Sequence, residues 1–278
     1  MSNILLFRPD NDNQEEFEIA KKTFGKQLVT QRSEVPKNSK VIGRYSVLPF
    51  YKELENDLKT NGSVLVHDFH NHRFIANFDY YDYKVIQDNT FKTYFDLRDI
   101  PDDPDGFTPA YVVKGRTNSR KAQWNRKMYC LGKRQAIELA AELMEDPLIG
   151  QQGIIVREYE ELEFLEEGIN GQPFVNEHRF FFAKSDESSC TLPTLIAHGF
   201  YWSQSEKVGE IDNEGIKFAQ NIANNVFYSK RGLYVIDIAR TAKGQWKVVE
   251  LNDGQMSGLS TINPYEFYVN LKGFYDNV

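Results

Sequence analysis

Residues 234–260, YVIDIARTAKGQWKVVELNDGQMSGLS, decide how the rest of the chain is read. The first five form an apolar run broken by one acid, Asp237. Ala242-Lys243-Gly244 reads as a hairpin turn, 246–251 as a second strand, and Asn252-Asp253-Gly254 as its end. A hairpin in this register brings Asp237 near Glu250 and Asn252. Two carboxylates about 4 Å apart repel by roughly 4 kcal/mol at an effective dielectric of about 20. A site that gathers them therefore requires a compensating cation. Oxygen donors with no Cys and no His select Mg²⁺ or Mn²⁺ over zinc. Magnesium held by one or two carboxylates shares its other positions with water and phosphate. The same spacing also fits two edge-strand acids turned to solvent.

The composition bounds what surrounds this hairpin. A chain of 278 residues, 41% hydrophobic and 26% charged, is that of a globular protein. It is long enough to hide roughly 75% of its unfolded surface, in one multi-lobed domain or two small ones. A net charge of −7 argues against a surface that grips nucleic acid everywhere, and leaves room for a local basic patch. Cys130 and Cys190 have no CxxC spacing, which suggests a reducing compartment. No apolar run approaches the ~20 residues that span a membrane. The opening MSNILLFRPD reads as a strand and not as a signal peptide, so a cytosolic protein with no membrane partner is expected.

The first 85 residues alternate strands (3–7, 27–29, 41–45, 63–66) with helices (13–24, 49–59), the pattern of a small α/β lobe. His67, His70 and His72 in HDFHNHRF lack a Cys or a spaced carboxylate and read as a loop of surface histidines. Asn89 or Thr90 is placed to cap a helix with Lys92 in its first turn, where a lysine gains nothing from the dipole. Lys92 is therefore either functional or a solvated surface lysine. The acidic turn cluster PDDPDG, 101–106, reads as a boundary.

A basic run follows. A strand over 110–113 ends in Lys114, and the loop Gly115-Arg116-Thr117-Asn118-Ser119-Arg120-Lys121 leads to Trp124, Arg126, Lys127, Lys133 and Arg134. No acid interrupts residues 107–137, a strong asymmetry in an acidic chain. Backbone N–H groups and hydroxyls of such a loop bond phosphate oxygens while Lys114 and arginine supply charge. GxxxxGK[ST] is absent, so this is not a Walker loop. A solvated basic loop is the plainer alternative. Residues 132–144 are helical by the spacing of Ala136, Leu139, Ala140 and Leu143, and 153–159 is a strand followed by an acidic run. In the strand 175–182, alternation puts Glu177 and Arg179 on one face. A strand over 194–202, a helix over 214–226 and an aromatic-rich helix over 264–275 complete the reading.

In this order the segments resemble the ATP-grasp superfamily, which includes D-alanine–D-alanine ligase and glutathione synthetase. The resemblance spans roughly residues 80–260. It is carried by Lys92, Lys114, the hinge strand 154–159, the ExR of Glu177 and Arg179, DIA at 237–239 and VVELNDGQMSG at 248–258. It implies an α/β (α+β) ATP-grasp fold: an N-terminal lobe over 1–85, then a lid subdomain (86–158) and a metal-binding subdomain (159–278) that enclose the nucleotide. It implies ATP phosphates on Lys92 and Lys114, a closing loop with Ser119 as donor, and adenine at Glu158 and the Tyr159 backbone. Glu177 would border the nucleotide, Arg179 and Arg120 would face the transferred phosphate or substrate, and Asp237, Glu250 and Asn252 would hold one or two Mg²⁺. Such proteins are often dimers. The implied activity is an ATP-dependent ligase that joins a carboxylate to an amine through an acylphosphate. Arg116, Arg120 and Lys121 carry more charge than a usual glycine-rich grasp loop, which points away from an ordinary small amino-acid substrate. One alternative is RNA end repair or ligation at the same ATP site, with Trp124 and Tyr129 stacking on bases. Another is a nucleotide-binding module without chemistry.

Overall fold

Three four-stranded sheets, one parallel and two antiparallel, organise the molecule. The computed structural model describes residues 2–45, 50–147, 149–150 and 153–277. The first sheet holds β1 (Ser2–Phe7), β2 (Leu28–Val29), β3 (Ser39–Arg44) and β4 (Val64–Leu65) in the order β2-β1-β3-β4. Its strands are parallel because helices α1 (Gln14–Phe24) and α2 (Tyr51–Thr60) carry the chain back between them. Pro49, the expected start of the second helix, lies outside the described residues.

The histidine segment departs from expectation. It is not a surface loop: residues from Phe69 form helix α3 (Phe69–Ala76), capped by the Asp68 side chain, which accepts from the Asn71 N–H at 2.9 Å. His67 is fully buried against Asp253 and the Tyr234 ring, His72 is half-buried with Nδ1 3.0 Å from Asp253 Oδ2, and only His70 is exposed. Packing against the far end of the closing hairpin wins over the polarity of the segment. After α4 (Lys84–Gln87) no helix starts at Asn89 or Thr90. Thr90 instead bridges to Val248, its hydroxyl donating to the Val248 carbonyl at 2.7 Å. Lys92 therefore sits in extended chain just before β5 (Thr93–Tyr94).

The second sheet adds β6 (Ala110–Gly115), β7 (Tyr129–Leu131) and β8 (Ile154–Glu158), in the order β5-β8-β6-β7. Short α5 (Trp124–Lys127) precedes β7, and α6 (Gly132–Met144) covers one face with Ala136, Ala140 and Leu143. The PDDPDG segment is not a boundary, because strands on both sides of it belong to this one sheet. Its acids serve α6: Asp103 accepts from the Lys133 N–H at 2.9 Å, and Asp102 pairs with the Lys133 ammonium. The acidic run beyond β8 folds as a hairpin of β9 (Phe164–Glu167) and β10 (Pro173–Val175).

The third sheet holds β11 (Glu177–Lys184), β12 (Thr194–Phe200), β13 (Gly232–Arg240) and β14 (Trp246–Asp253), ordered β12-β11-β13-β14. One face, with Phe180, Phe182, Tyr234 and Ile236, packs on α7 (Asn213–Val226) and on Phe74, Phe78 and Tyr80. The other, with Phe181, Ala183, Leu233 and Val235, packs on Leu5 and Phe7 of β1 and on α8 (Pro264–Asp276). Each such large apolar side chain contributes about 1.5–3 kcal/mol on burial. A sheet covered on both faces tolerates few polar residues. Glu177, Arg179 and Asp237 break the rule together. Alternation places them on the face of Phe181 and Val235, beyond the end of that apolar cluster.

A β-bulge completes the arrangement. Asp237 pairs with Glu250, but the next residue, Ile238, pairs with Val248, which leaves Val249 without a partner in the ladder. Plain alternation would keep Glu250 on the side of Trp246 and Val248, whose side chains lie in the core under α7. The extra residue shifts the phase and brings Glu250 to the face of Asp237, a re-aiming common near functional sites. Arg157 of β8 holds the bulge, with Nη1 donating to the Val249 carbonyl at 2.5 Å and Nη2 to Thr90 Oγ1 at 2.8 Å.

Candidate active site

Two carboxylates and two cations meet where the second and third sheets face each other. Arg179 grips Asp237 through both nitrogens, at 2.9 and 2.8 Å, and donates to the Gly258 carbonyl at 2.9 Å. Lys114, at the end of β6, reaches across to Glu250 Oε2 at 2.5 Å. Asn252 lies between the acids, its Nδ2 3.0 Å from Glu250 Oε1 and 3.3 Å from Asp237 Oδ2. Burial opposes ionisation of Glu250, but the charges of Lys114 and Lys121 outweigh it and hold this carboxyl well below the usual range. The gathering of like charge expected from the sequence is thus offset here by lysine and arginine.

The donor set suits a hard divalent ion. Among the described residues no three His, Cys, Asp or Glu side chains converge as a metal site. Two carboxylates and one amide oxygen instead fit Mg²⁺, which takes few protein oxygens and keeps water and phosphate. Asn252 must turn its Oδ1 to the place its NH₂ now occupies, and Lys114 must share Glu250.

A cleft opens beside this cluster. Phe91, Val112, Met128, Leu162, Val175 and Val249 give it apolar walls, and Lys114, Lys121, Glu177 and Glu250 its polar end. A second cavity continues from there, lined by residues 117–123, Arg179, Tyr201, Asn252 and Ser257. The two share Ser119, Lys121 and Glu250. An apolar slot leading onto a cationic, hydroxyl-rich chamber matches a molecule with a planar aromatic end and an anionic chain.

Most of the residues singled out from the sequence gather here. Lys114, Ser119, Glu158, Tyr159 and Glu177 line the cleft, Arg179, Arg120 and Asn252 line the second cavity, and Asp237 is the buried anchor of Arg179. Lys92 stays outside: it is exposed and pairs with Glu158 at 3.0 Å from the outer side. Arg120 turns its guanidinium away, onto Asp146 at 2.8 and 2.5 Å. At the hinge the N–H groups are already used, that of Glu158 on the Lys92 carbonyl and that of Tyr159 on the Ala110 carbonyl, at 2.9 and 2.8 Å. A base held there would have to use other groups. Glu158 also accepts from the Tyr94 hydroxyl at 2.5 Å.

Arg157 and Tyr201 were not named by the sequence reading, and Lys121 was named there only as part of the loop's excess charge. Arg157 fixes the bulge from another sheet, so no local pattern marks it. Lys121 was one cation in a long basic run, yet its ammonium is turned into the cleft, 2.7 Å from the Tyr201 hydroxyl and 4.1 Å above that ring. Tyr201 also carries the Arg179 guanidinium at 4.7 Å. Glu177, expected at the site, has an unusual state. Its Oε1 is buried without a hydrogen-bond partner among the described residues. Burial, with Asp237 and Glu250 nearby and Lys121 in partial opposition, pushes its carboxyl up to about 7.

Among the described residues no helix is long and apolar enough to cross a membrane. No curated protein sequence matches the chain. D-alanyl-alanine synthetase A from Vibrio cholerae superposes with a TM-score of 0.54 at 11% identity, over 100% of this chain and 99% of that one. A RimK domain ATP-grasp protein from Sphaerobacter thermophilus gives 0.55 at 12% identity, over 97% and 98%. The ATP-grasp ligase PsnB, solved with minimal precursor, Mg and ADP, gives 0.53 at 10%, over 98% and 97%. At these identities the likeness concerns the fold. A family model described as an ATP-grasp domain, family 3 of its clade, matches residues 104–271, more than half of the sequence. The chain therefore belongs to the ATP-grasp superfamily, within the clade of that model, and has the ATP-grasp fold.

Proposed function

We infer that this protein is an ATP-dependent ligase that activates a carboxylate as an acylphosphate and passes the acyl group to an amine. One observation carries the reading: the apolar cleft ends on the Lys114–Glu250 pair, beside Asp237 and Asn252, and continues into a cavity floored by Arg179. Adenine fits between Phe91, Val112, Met128 and Leu162, and the triphosphate then lies along Lys114 toward Arg179. Asp237, Glu250 and Asn252 would hold Mg²⁺. When bound, this ion offsets the charge that builds on the phosphate oxygens.

A substrate carboxylate oxygen attacks the γ-phosphorus, the bond to the ADP oxygen breaks, and ADP leaves. The amine then attacks the acyl carbon, the bond from that carbon to the phosphate oxygen breaks, and one proton of the attacking amine departs with phosphate. Lys114 and Arg179 act by fixed positive charge where negative charge develops. No side-chain nucleophile is needed in this scheme.

An RNA substrate is less well supported. Much of the basic run is paired within the chain: Arg120 on Asp146, Lys127 on Glu142, Lys133 on Asp102, Arg134 on Glu138 and Arg116 on the Asn77 carbonyl. Phosphate-backbone affinity comes from cations that neutralise phosphates, and Arg120 and Arg116, the loop arginines, are held on Asp146 and the Asn77 carbonyl. The deciding experiment incubates the protein with Mg–ATP and pools of carboxylates and amines, then identifies the nucleotide product. ADP, lost in Asp237→Ala and Glu250→Ala variants that still fold, is expected. AMP indicates nucleotidyl transfer and refutes the acylphosphate route. ATP binding without turnover under any acceptor favours a binding module.

A further inference from the structure

We propose that Lys121 is a further catalytic cation of this enzyme, carried on the loop after β6, held on Tyr201 and transferred to the phosphates when nucleotide enters. The inference rests on the ATP reading above.

The loop holds three cations, and two are committed elsewhere. Arg120 makes a two-pronged pair with Asp146, and Arg116 donates to the Asn77 carbonyl at 3.0 Å. Lys121 alone of the three borders both cavities, at the place where the apolar cleft gives way to the cationic chamber. If adenine lies in the apolar part, the transferring phosphoryl group must pass this point.

The parking contact is incomplete. An ammonium has three N–H donors and no acceptor. Among the described residues the acceptor of Lys121 is a single neutral phenol, that of Tyr201 at 2.7 Å. The rings of Tyr201 and Trp202, at 4.1 and 5.0 Å, add cation–π attraction. The other two N–H groups of Lys121 have no hydrogen-bond acceptor among the described residues. The Glu177 carboxylate nearby is itself short of a partner at Oε1. A phosphate offers opposite charge and several acceptor oxygens where the phenol offers one neutral oxygen, so a phosphate displaces the phenol. Parking also keeps the cation within the site, so that little must be reorganised when the nucleotide arrives.

The test compares wild type with Lys121→Met, which keeps the stem and removes the charge, and with Lys121→Arg. Binding of Mg–ATP and the steady-state release of ADP are measured for each, with thermal melting as a folding control. Lys121→Gln takes the place of Lys121→Met if the latter does not fold. The expected result is a loss of kcat of about 100-fold in the neutral variant, a smaller rise in KM for ATP, and partial recovery in Lys121→Arg. A second readout is tryptophan emission. Adding Mg–ATP changes it in wild type as the ammonium leaves Trp202, and changes it less in Lys121→Met. A neutral variant that folds and turns over within threefold of active wild type overturns this proposal alone. Wild type that fails to bind Mg–ATP overturns the ATP reading and this proposal with it.

Discussion

The Lys114–Glu250 pair offers the sharpest energetic test, because both charges are taken out of water. The two side chains are 8% and 12% exposed and 2.5 Å apart. At an effective dielectric of about 20, opposite charges near 3 Å attract by roughly 5 kcal/mol. Desolvation cancels much of this. Removing one partner of such a pair costs about 3–5 kcal/mol, because the other is left buried and unpaired. Here Lys121 and Asn252 still support Glu250, so Lys114→Met should cost about 3 kcal/mol, a drop in Tm of roughly 6–12 °C for a chain of this size. Glu250→Gln should cost somewhat less. The double variant should be about 2 kcal/mol more stable than the sum of the two losses, since neither charge remains stranded. Urea unfolding at pH 7.5 measures all four corners of the cycle. Glu250 titrates below its unfolded value, so its stabilisation is present above pH ~4.3 and is lost as the pH falls below that. The coupling should fade in the same window. A coupling energy under about 0.5 kcal/mol at pH 7.5 would refute the reasoning.

Two further outcomes follow from the same site. Arg157→Met removes the grip on the Val249 carbonyl and on Thr90. It should cost about 1–3 kcal/mol in stability, and ADP formation should fall further than melting temperature alone explains, as Glu250 loses its aim. Equal activity in a folded variant would show that the bulge holds itself. Glu177 titrates at about 7, above its unfolded value. Its neutral form is therefore favoured on folding, and the stability it allows is complete below pH ~4.3 and declines as the pH rises toward 7. Glu177→Gln should be more stable than wild type at pH 8, by on the order of 3 kcal/mol, with the difference gone near pH 4. Parallel stability curves for the two proteins across that range would contradict this.

The fold was legible where local pattern and final packing agree. The alternation of 177–182 put Glu177 and Arg179 on one face, and the Lys243-Gly244 turn set the hairpin that pairs Asp237 with Glu250. What escaped depends on residues far apart in the chain. The bulge at Val249 is held from β8 by Arg157, so a one-strand pattern cannot show it. His67 is buried because position 232 is glycine. A Cβ there would lie 2.6 Å from His67 Nδ1, and the backbone φ of 146° is one that L side chains rarely adopt. The expected cap at Asn89 and Thr90 gave way to a bridge with Val248, which carried Lys92 to the outer side of Glu158. Lys121 shared its charge and its neighbourhood with seven other cations between 114 and 134. Only the geometry turns it inward.

A crystal structure of the protein with Mg²⁺ and a non-hydrolysable ATP analogue tests the central claim most directly. The account predicts adenine between Phe91, Met128 and Leu162, the metal on oxygens of Asp237, Glu250 and Asn252, and the terminal phosphate between Lys114 and Arg179. Nucleotide bound outside this cleft, or a metal that touches none of Asp237, Glu250 and Asn252, would contradict it.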